Sequence, residues 1–482
     1  MRLSTCLGNV CQHIEERHFW AKTLGKMYFE RGCFRLLSPK IRQIVLLLHK
    51  KSLSLPINSV CDKRNNRFMA IEVSFTGQIK SRKKLVDNIT KLSKHSSFEI
   101  IIDDEGDISL TLCPTGEITF HVVEGGLLRK TKVEGYFQST PAGPGFHKAA
   151  VDFIDALDLG SLVYEDDSEY ANDRDFTKLC NNHFYRWLER LVELACQKMD
   201  EGNENPLFVC WQTNQYIPDV CGAKIVAPTS LWDIKFMNQL IHDRGIEAFA
   251  DRFFVWPHEQ QDATFYRNCA MKELWEDCYY VSSERSESDA NLNRSIIDNL
   301  EKAYGLNPML PIPYDNYCEV CHLDGRSPII PSTAVSMNDG YKPGYRKGMV
   351  KETIDRLTII IPGSYKRHLE FNDDDWPITI WCDESTDSPV WRLTIFELEK
   401  EIGKPKLEGN QYDYYEDFDI EGGNGVLALQ QCQEDGDDFY MVICQIASGT
   451  SLHLITVSYK KQKEFDQIRS LLLLITCQKQ ED

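Results

Sequence analysis

The feature that most constrains this chain is a break in its character at Met69. Before it, residues 1–68 carry 13 Lys/Arg against 4 Asp/Glu and show neither the helical nor the strand period. From it, Met69-Ala-Ile-Glu-Val-Ser-Phe75 opens a clean apolar/polar alternation, the pattern of a strand with one buried face. A fold is therefore sought from residue 69 onward. The basic stretch reads as an upstream extension without a fold, with Met69 as the natural start; a basic tail for membrane or nucleic acid is the alternative. It lacks the positive tip, apolar stretch and cleavage site of a secretory signal, and Glu15, Glu16 and Glu30 argue against a mitochondrial presequence.

The rest of the chain is acidic. Residues 69–482 hold 41 basic and 69 acidic side chains, a balance of −28 within an overall charge of −19. Such a body repels phosphate backbones, so direct nucleic-acid binding by 69–482 is not expected. The same field attracts a basic protein partner. No apolar run approaches the ~18 residues of a membrane helix; the longest are 44–48 and 471–475, and no membrane association is expected. The 17 cysteines are odd in number and scattered, without an export signal. They read as free thiols in a reducing cytoplasm.

Periodicity predicts an α+β chain: a mixed helical and antiparallel-sheet N-terminal region, 69–350, with a possible sub-boundary near 160, then a β-rich C-terminal domain, 355–482, with a closing helix. In the first region, strands are expected at 69–75, 98–102, 108–112 and 117–123, and helices at 81–92 and 146–157, the latter ended by Gly160. Residues 165–169 read as an acidic loop. Phe184, Trp187, Leu188, Leu191, Leu194 and Ala195 mark an amphipathic helix. A strand is expected at 207–211, helices at 232–241, 262–278 and 296–304, and a polar loop at 282–293. After a turn-rich linker at 338–345, strands are predicted at 357–361, 378–382, 390–397, 426–432, 439–447 and 453–459, then a helix at 461–475.

Two features of the C-terminal stretch stand out: Leu357-Thr-Ile-Ile-Ile-Pro362-Gly363-Ser-Tyr365, a strand ending in a Pro-Gly turn, and the hairpin pattern of 439–456 followed by a helix that ends Leu471-Leu-Leu-Leu-Ile-Thr476. In this order of elements, about 120 residues resemble the PsbP-like α/β/α domain family. The resemblance implies a module that binds or assists other proteins. It implies no catalytic set, and no site residue is carried over from it.

Few motifs carry chemistry. Cys318-Glu-Val-Cys321-His322 fits the C-x-x-C-H pattern of covalent haem, offers three of the four ligands of a zinc site, and would suit a redox dithiol at a helix start. Cys318, Cys321 and His322 are the metal candidates, zinc being the ion they suit; two buried thiols beside Tyr314 and Tyr317 is the plain alternative. Gly143-Pro-Gly-Phe-His147 precedes a helix, so it is either an anion site or a chain-reversing turn. His258-Glu-Gln-Gln-Asp262 imitates a zinc-protease helix, although Asp262 suits an N-cap equally well. Asp383 and Glu384 would need a basic neighbour to matter. No nucleophile elbow, phosphate loop or kinase set is present.

The stretch 411–425 alternates acids with aromatics. Tyr412, Asp413, Tyr414, Tyr415, Glu416, Asp417 and Asp419 present carboxylates to Lys/Arg and rigid rings as anchors; a solvated acidic loop whose tyrosines cover the sheet edge is the plain alternative. The sequence thus points to a cytoplasmic, acidic, non-enzymatic protein that binds or neutralises a basic partner, in the manner of an immunity protein, with no cofactor. The alternative is an enzyme whose residues are dispersed, with His147, Cys318, Cys321 and His322 as its candidates and zinc near Cys318–His322.

Overall fold

A computed structural model describes residues 70–478 except 95–97, 104–105, 124–130, 203–205, 211–216, 219–223, 338–343, 372–375, 385–387, 399, 408–411 and 435. The basic stretch 1–68 and the expectations placed on it lie outside these residues. The fold is α+β, and its C-terminal part is β-rich with a closing helix. The described residues form two compact units: 70–212 with 220–347, and 348–478 with a short excursion within 213–219.

The first unit begins with a six-stranded antiparallel sheet, ordered β2-β3-β4-β5-β1-β6. Its strands are β1 (Glu72–Ile79), β2 (Glu99–Ile102), β3 (Ile108–Cys113), β4 (Gly116–Val123), β5 (Thr131–Gln138) and β6 (Gly160–Asp166). Alternation puts Val73, Phe75, Leu110, Ile118, Phe120, Val133 and Phe137 on the buried face. They join one core with Leu85 and Ile89 of α1 (Arg82–Ser93) and with Phe146, Ala150 and Ile154 of α2 (Pro144–Ala156). Gly135 is required by close packing: a Cβ there would lie 2.2 Å from Phe75 Cζ and 2.5 Å from the Thr119 carbonyl.

Two local expectations are corrected here. Gly160 does not end α2; it is the first residue of β6, and Asp158 takes the left-handed turn (φ 56°) after the helix. Nor are Glu165 and Asp166 in a loop: both complete β6, where Ser74 and Val73 of β1 pair with them.

The same core continues well past residue 160, through Met271, and includes Met337. It takes in α3 (Tyr185–Asp200), with Trp187, Leu188, Leu191, Val192 and Ala195 buried. It also takes in α4 (Ile234–Arg244) and α5 (Ile246–Phe253). A small sheet of β7 (Leu207–Phe208), β9 (Lys224–Ala227) and β10 (Ser230–Asp233) lies between α3 and α4 in sequence. Trp232, expected in a helix, is in β10, because Asp233 accepts the Lys235 and Phe236 amides and so starts α4 after it.

A second cluster gathers α6 (Ala263–Lys272), which ends in a π turn at Glu273–Asp277, with α7 (Glu287–Leu306) and α8 (Tyr314–Leu323). The polar stretch 282–293, expected as a loop, is largely the first part of α7. Ser286 accepts the Asp289 amide at 3.2 Å and donates to the Asp289 carboxylate at 2.5 Å, while Arg285 holds that carboxylate at 2.8 Å. This reciprocal cap lets a charged sequence begin a helix.

The second unit holds a seven-stranded antiparallel sheet, ordered β13-β14-β15-β19-β18-β17-β16. Its strands are β13 (Lys366–Phe371), β14 (Pro377–Cys382), β15 (Val390–Glu397), β16 (Tyr414–Ile420), β17 (Gly423–Glu434), β18 (Asp437–Ser448) and β19 (Ser451–Tyr459). A four-stranded sheet is built on the hairpin of β11 (Met349–Ile354) and β12 (Leu357–Pro362), with β8 (Ile217–Pro218) and β20 (Thr476–Cys477) at its edges. β11 falls before the expected start at 355 but belongs to this unit. Trp381 of β14 donates to Glu352 of β11 at 2.6 Å, both groups being buried.

The other face of the large sheet carries Val426, Ala428, Met441, Ile443 and Leu454, packed with Leu407. With both faces covered, β18 reads as a near-continuous apolar run. The closing helix α9 is shorter than expected, Phe465–Leu472, after a 3-10 turn at Gln462–Glu464. No helix among the described residues is long and apolar enough to cross a membrane.

Candidate interaction edge

The acidic-aromatic stretch is not a loop. From Tyr414 to Ile420 it is β16, paired residue for residue with β17 from Leu429 back to Gly423, and it is the last strand of the sheet. The period-2 geometry of a strand divides the seven candidate residues between two faces. Tyr414 and Glu416 turn toward α9. Arg469 grips Glu416 through two bonds of 2.6 Å, and the Phe465 ring stands 5.2 Å from Tyr414. The Arg469 guanidinium holds the Glu416 carboxyl below the usual carboxylate range.

Tyr415, Asp417 and Asp419 point the other way and are exposed, as is Asp413 just before the strand. Asp413 accepts the Gln431 amide at 3.0 Å, which anchors the start of the strand. Tyr412 is half-buried, its ring 6.2 Å from that of Tyr415. Lys404 reaches Asp417 at 3.2 Å, leaving Asp413 and Asp419 with no cation partner among the described residues. Partial burial, then the neighbouring Asp417, push the Tyr415 hydroxyl up, so it stays protonated and a donor. Among the described residues no strand pairs with the outer side of β16. Its outward amides and carbonyls are therefore open to a further strand.

The metal candidates lie elsewhere and do not converge. Cys318, Cys321 and His322 all sit on α8, inside the helix and not at its start. Successive helix residues diverge by about 100°, so Cys321 faces the core while His322 faces solvent. Burial pushes the Cys321 thiol up, the reverse of a reactive thiolate. No group of three or more His, Cys, Asp or Glu among the described residues is placed to hold a metal ion.

His147 has the most enzyme-like surroundings. Its Nδ1 is 2.9 Å from Ser139 Oγ, and its Nε2 lies 3.5 Å from Asp166 and 3.4 Å from Ser168 Oγ. Yet its side chain and that of Asp166 are fully buried. The Ser139 hydroxyl donates to the Ile71 carbonyl at 3.0 Å, and the Ser168 hydroxyl to Asp166 at 2.7 Å. Both hydroxyl protons are thus committed, and no solvent-facing nitrogen remains to act as a base. Burial works against the charged Asp166, but hydrogen bonds from His147, Ser168 and the Ala171 amide hold its carboxyl well below the usual range. The arrangement is a buried lock joining β5, α2 and β6.

The Gly143–His147 segment is neither an open anion loop nor a separate turn: Gly143 (φ 109°) is the N-cap of α2 and Pro144–His147 form its first turn. Gly145 donates to the Trp256 carbonyl at 2.9 Å and His147 to the Gly143 carbonyl at 3.2 Å, so these amides are spent within the protein. His258 is held between Asp251 at 2.9 Å and Asp262 at 2.7 Å, whose hydrogen bonds push it up to about 10. Asp262 caps α6 through the Phe265 amide, as the sequence allowed. Glu384 does have basic neighbours, Lys366 at 3.0 Å and His368 at 3.8 Å across the β13–β14 hairpin.

The sequence reading missed Ser139, Asp166 and Ser168 as partners of His147, and Arg469 as the partner of Glu416. Only the Asp-x-Ser pattern at Asp166 and Ser168, a turn signature, offered any signal.

No family model matches the chain, and no curated protein matches it. Among solved structures, a crystal structure from Bacteroides thetaiotaomicron VPI-5482 is similar over 26% of this chain and 46% of its own length, at 8% identity and a TM-score of 0.20. This chain therefore covers less than half of that protein, and a likeness at this level carries no argument about function.

Proposed function

We propose that this protein is an acidic, non-enzymatic binding or neutralising protein, of an immunity-like kind, that captures an extended basic segment of a partner protein on the β16 edge. The observation that supports it is the edge itself: a strand ladder whose outer side no described strand pairs, flanked by outward Asp413, Tyr415, Asp417 and Asp419. A strand added to such an edge gains main-chain hydrogen bonds, and alternate side chains supply specificity. Lys or Arg side chains on the added strand would meet the carboxylates, and Tyr415 offers a ring for their stems. The −28 balance of residues 69–482 would speed encounter with a basic partner.

The test is a titration of the full chain with a short peptide alternating Lys with Val or Thr. Raising salt from about 0.05 to about 0.5 M is expected to weaken binding roughly tenfold, as screening removes the charge contribution. Affinity unchanged by salt would remove the electrostatic part of the proposal.

A further inference from the structure

His453 lies on β19, one of the central strands of the large sheet, and is fully buried. Neither ring nitrogen makes a hydrogen bond of good geometry, an unusual state for a buried polar group. Register places it in a continuous row across the sheet. Ile395 of β15 pairs with His453, His453 with Ile446 of β18, Ile446 with Gly425 of β17, and Gly425 with Phe418 of β16. The row is tightly packed at its outer end, where a Cβ on Gly425 would lie 2.2 Å from Phe418 Cζ. The imidazole and the β16 edge thus lie on one register row of the sheet.

The charged groups around His453 are few. Asp355 and Arg356, in the β11–β12 turn, and Glu397, at the end of β15, act on it. Arg356 and Glu397 are joined through Ser451, at 2.8 Å and 2.6 Å. From β18, β17 and β16 the row presents Ile446, Gly425 and Phe418; of these only the Ile446 backbone favours the charged ring. Burial outweighs the two carboxylates and that backbone group, so the imidazole is held below its ordinary value.

The sign follows. The unfolded chain takes up a proton on this histidine below pH about 6.5 and the native sheet does not. The stability His453 allows is present above that value and is lost as pH falls through it.

We infer that mild acid loosens the β16 edge through His453, so that the surface proposed above for partner binding is an acid-released one. This rests on the reading of β16 as the binding edge, and the two fail separately in the following experiment. Backbone hydrogen exchange of the full chain is followed from about pH 7.5 to about pH 5 and corrected for intrinsic rates; the Lys-rich peptide is titrated at both ends of the range. In the wild type, residues 414–434 are expected to exchange at least about tenfold faster in acid, equivalent to about 1.4 kcal/mol of lost protection. His453→Phe and His453→Leu, which cannot be protonated, are expected to keep the neutral pattern. Wild-type exchange of 414–420 that does not change with pH overturns the inference, as does an unchanged acid transition in either variant. Acid-dependent exchange in a chain that never binds the peptide overturns the binding reading and leaves the switch standing.

Discussion

Replacing Asp166 with alanine is expected to destabilise the first unit by about 3–5 kcal/mol, a fall of roughly 10 °C in its unfolding midpoint. The carboxylate accepts the Ser168 hydroxyl at 2.7 Å, the Ser168 amide at 2.8 Å and the Ala171 amide at 2.9 Å, and faces His147 Nε2. Its removal strands all of these groups out of reach of water, and an unmatched buried donor costs far more than a matched one gains. His147→Ala is expected to act in the same direction by orphaning Ser139 and Asp166. The Phe137, Tyr170 and Phe184 rings that stand edge-on to the imidazole, 5.5–6.1 Å away, would also lose a packing partner. Urea unfolding followed by near-ultraviolet circular dichroism measures both. An Asp166→Ala protein within about 1 kcal/mol of wild type would show that the lock does not hold β5, α2 and β6 together.

The second large effect concerns binding. The triple variant Asp413→Lys, Asp417→Lys, Asp419→Lys is expected to weaken the Lys-rich peptide by at least about 100-fold, since each attraction becomes a repulsion. Glu416 is left alone because Arg469 uses it to hold β16 to α9; Asp413, whose carboxylate accepts the Gln431 amide at the start of the strand, is also tested as Asp413→Asn, which keeps an acceptor there, to separate loss of structure from loss of contact. A control with three reversed acids on the first unit, Glu72, Glu117 and Glu189, all exposed, changes net charge equally. It is expected to slow association only modestly. Equal weakening by both variants would mean that the field of the whole body, and not the edge, does the binding.

The legibility of the fold followed the strength of local signals. Strands with one buried face, such as β1 with Val73 and Phe75, were plain in the sequence because alternation survives one residue at a time. β5 was missed because Lys132, Glu134 and Gly135 dilute its pattern, and only the close approach of Phe75 explains that glycine. The start of α7 looked like a loop because its polar residues are satisfied by a cap, not by burial. The acidic stretch at 411–425 stands out by composition. Whether it was loop or strand depended on pairing with β17, a contact that no local pattern encodes. The Cys318–His322 motif shows the converse, a spacing familiar in chemistry that lies along one helix, where Cys318 and Cys321 sit against the core and His322 turns to solvent.

The central claim, that the β16 edge receives an extended basic segment, is tested most directly by hydrogen-exchange footprinting of the full chain with and without the Lys-rich peptide at neutral pH. The outward amides of β16, which no described strand pairs, are expected to become protected across 414–420, with β13 at the opposite edge of the same sheet unchanged. Protection confined to other surfaces, or spread evenly over the acidic body while 414–420 exchanges as before, would contradict it.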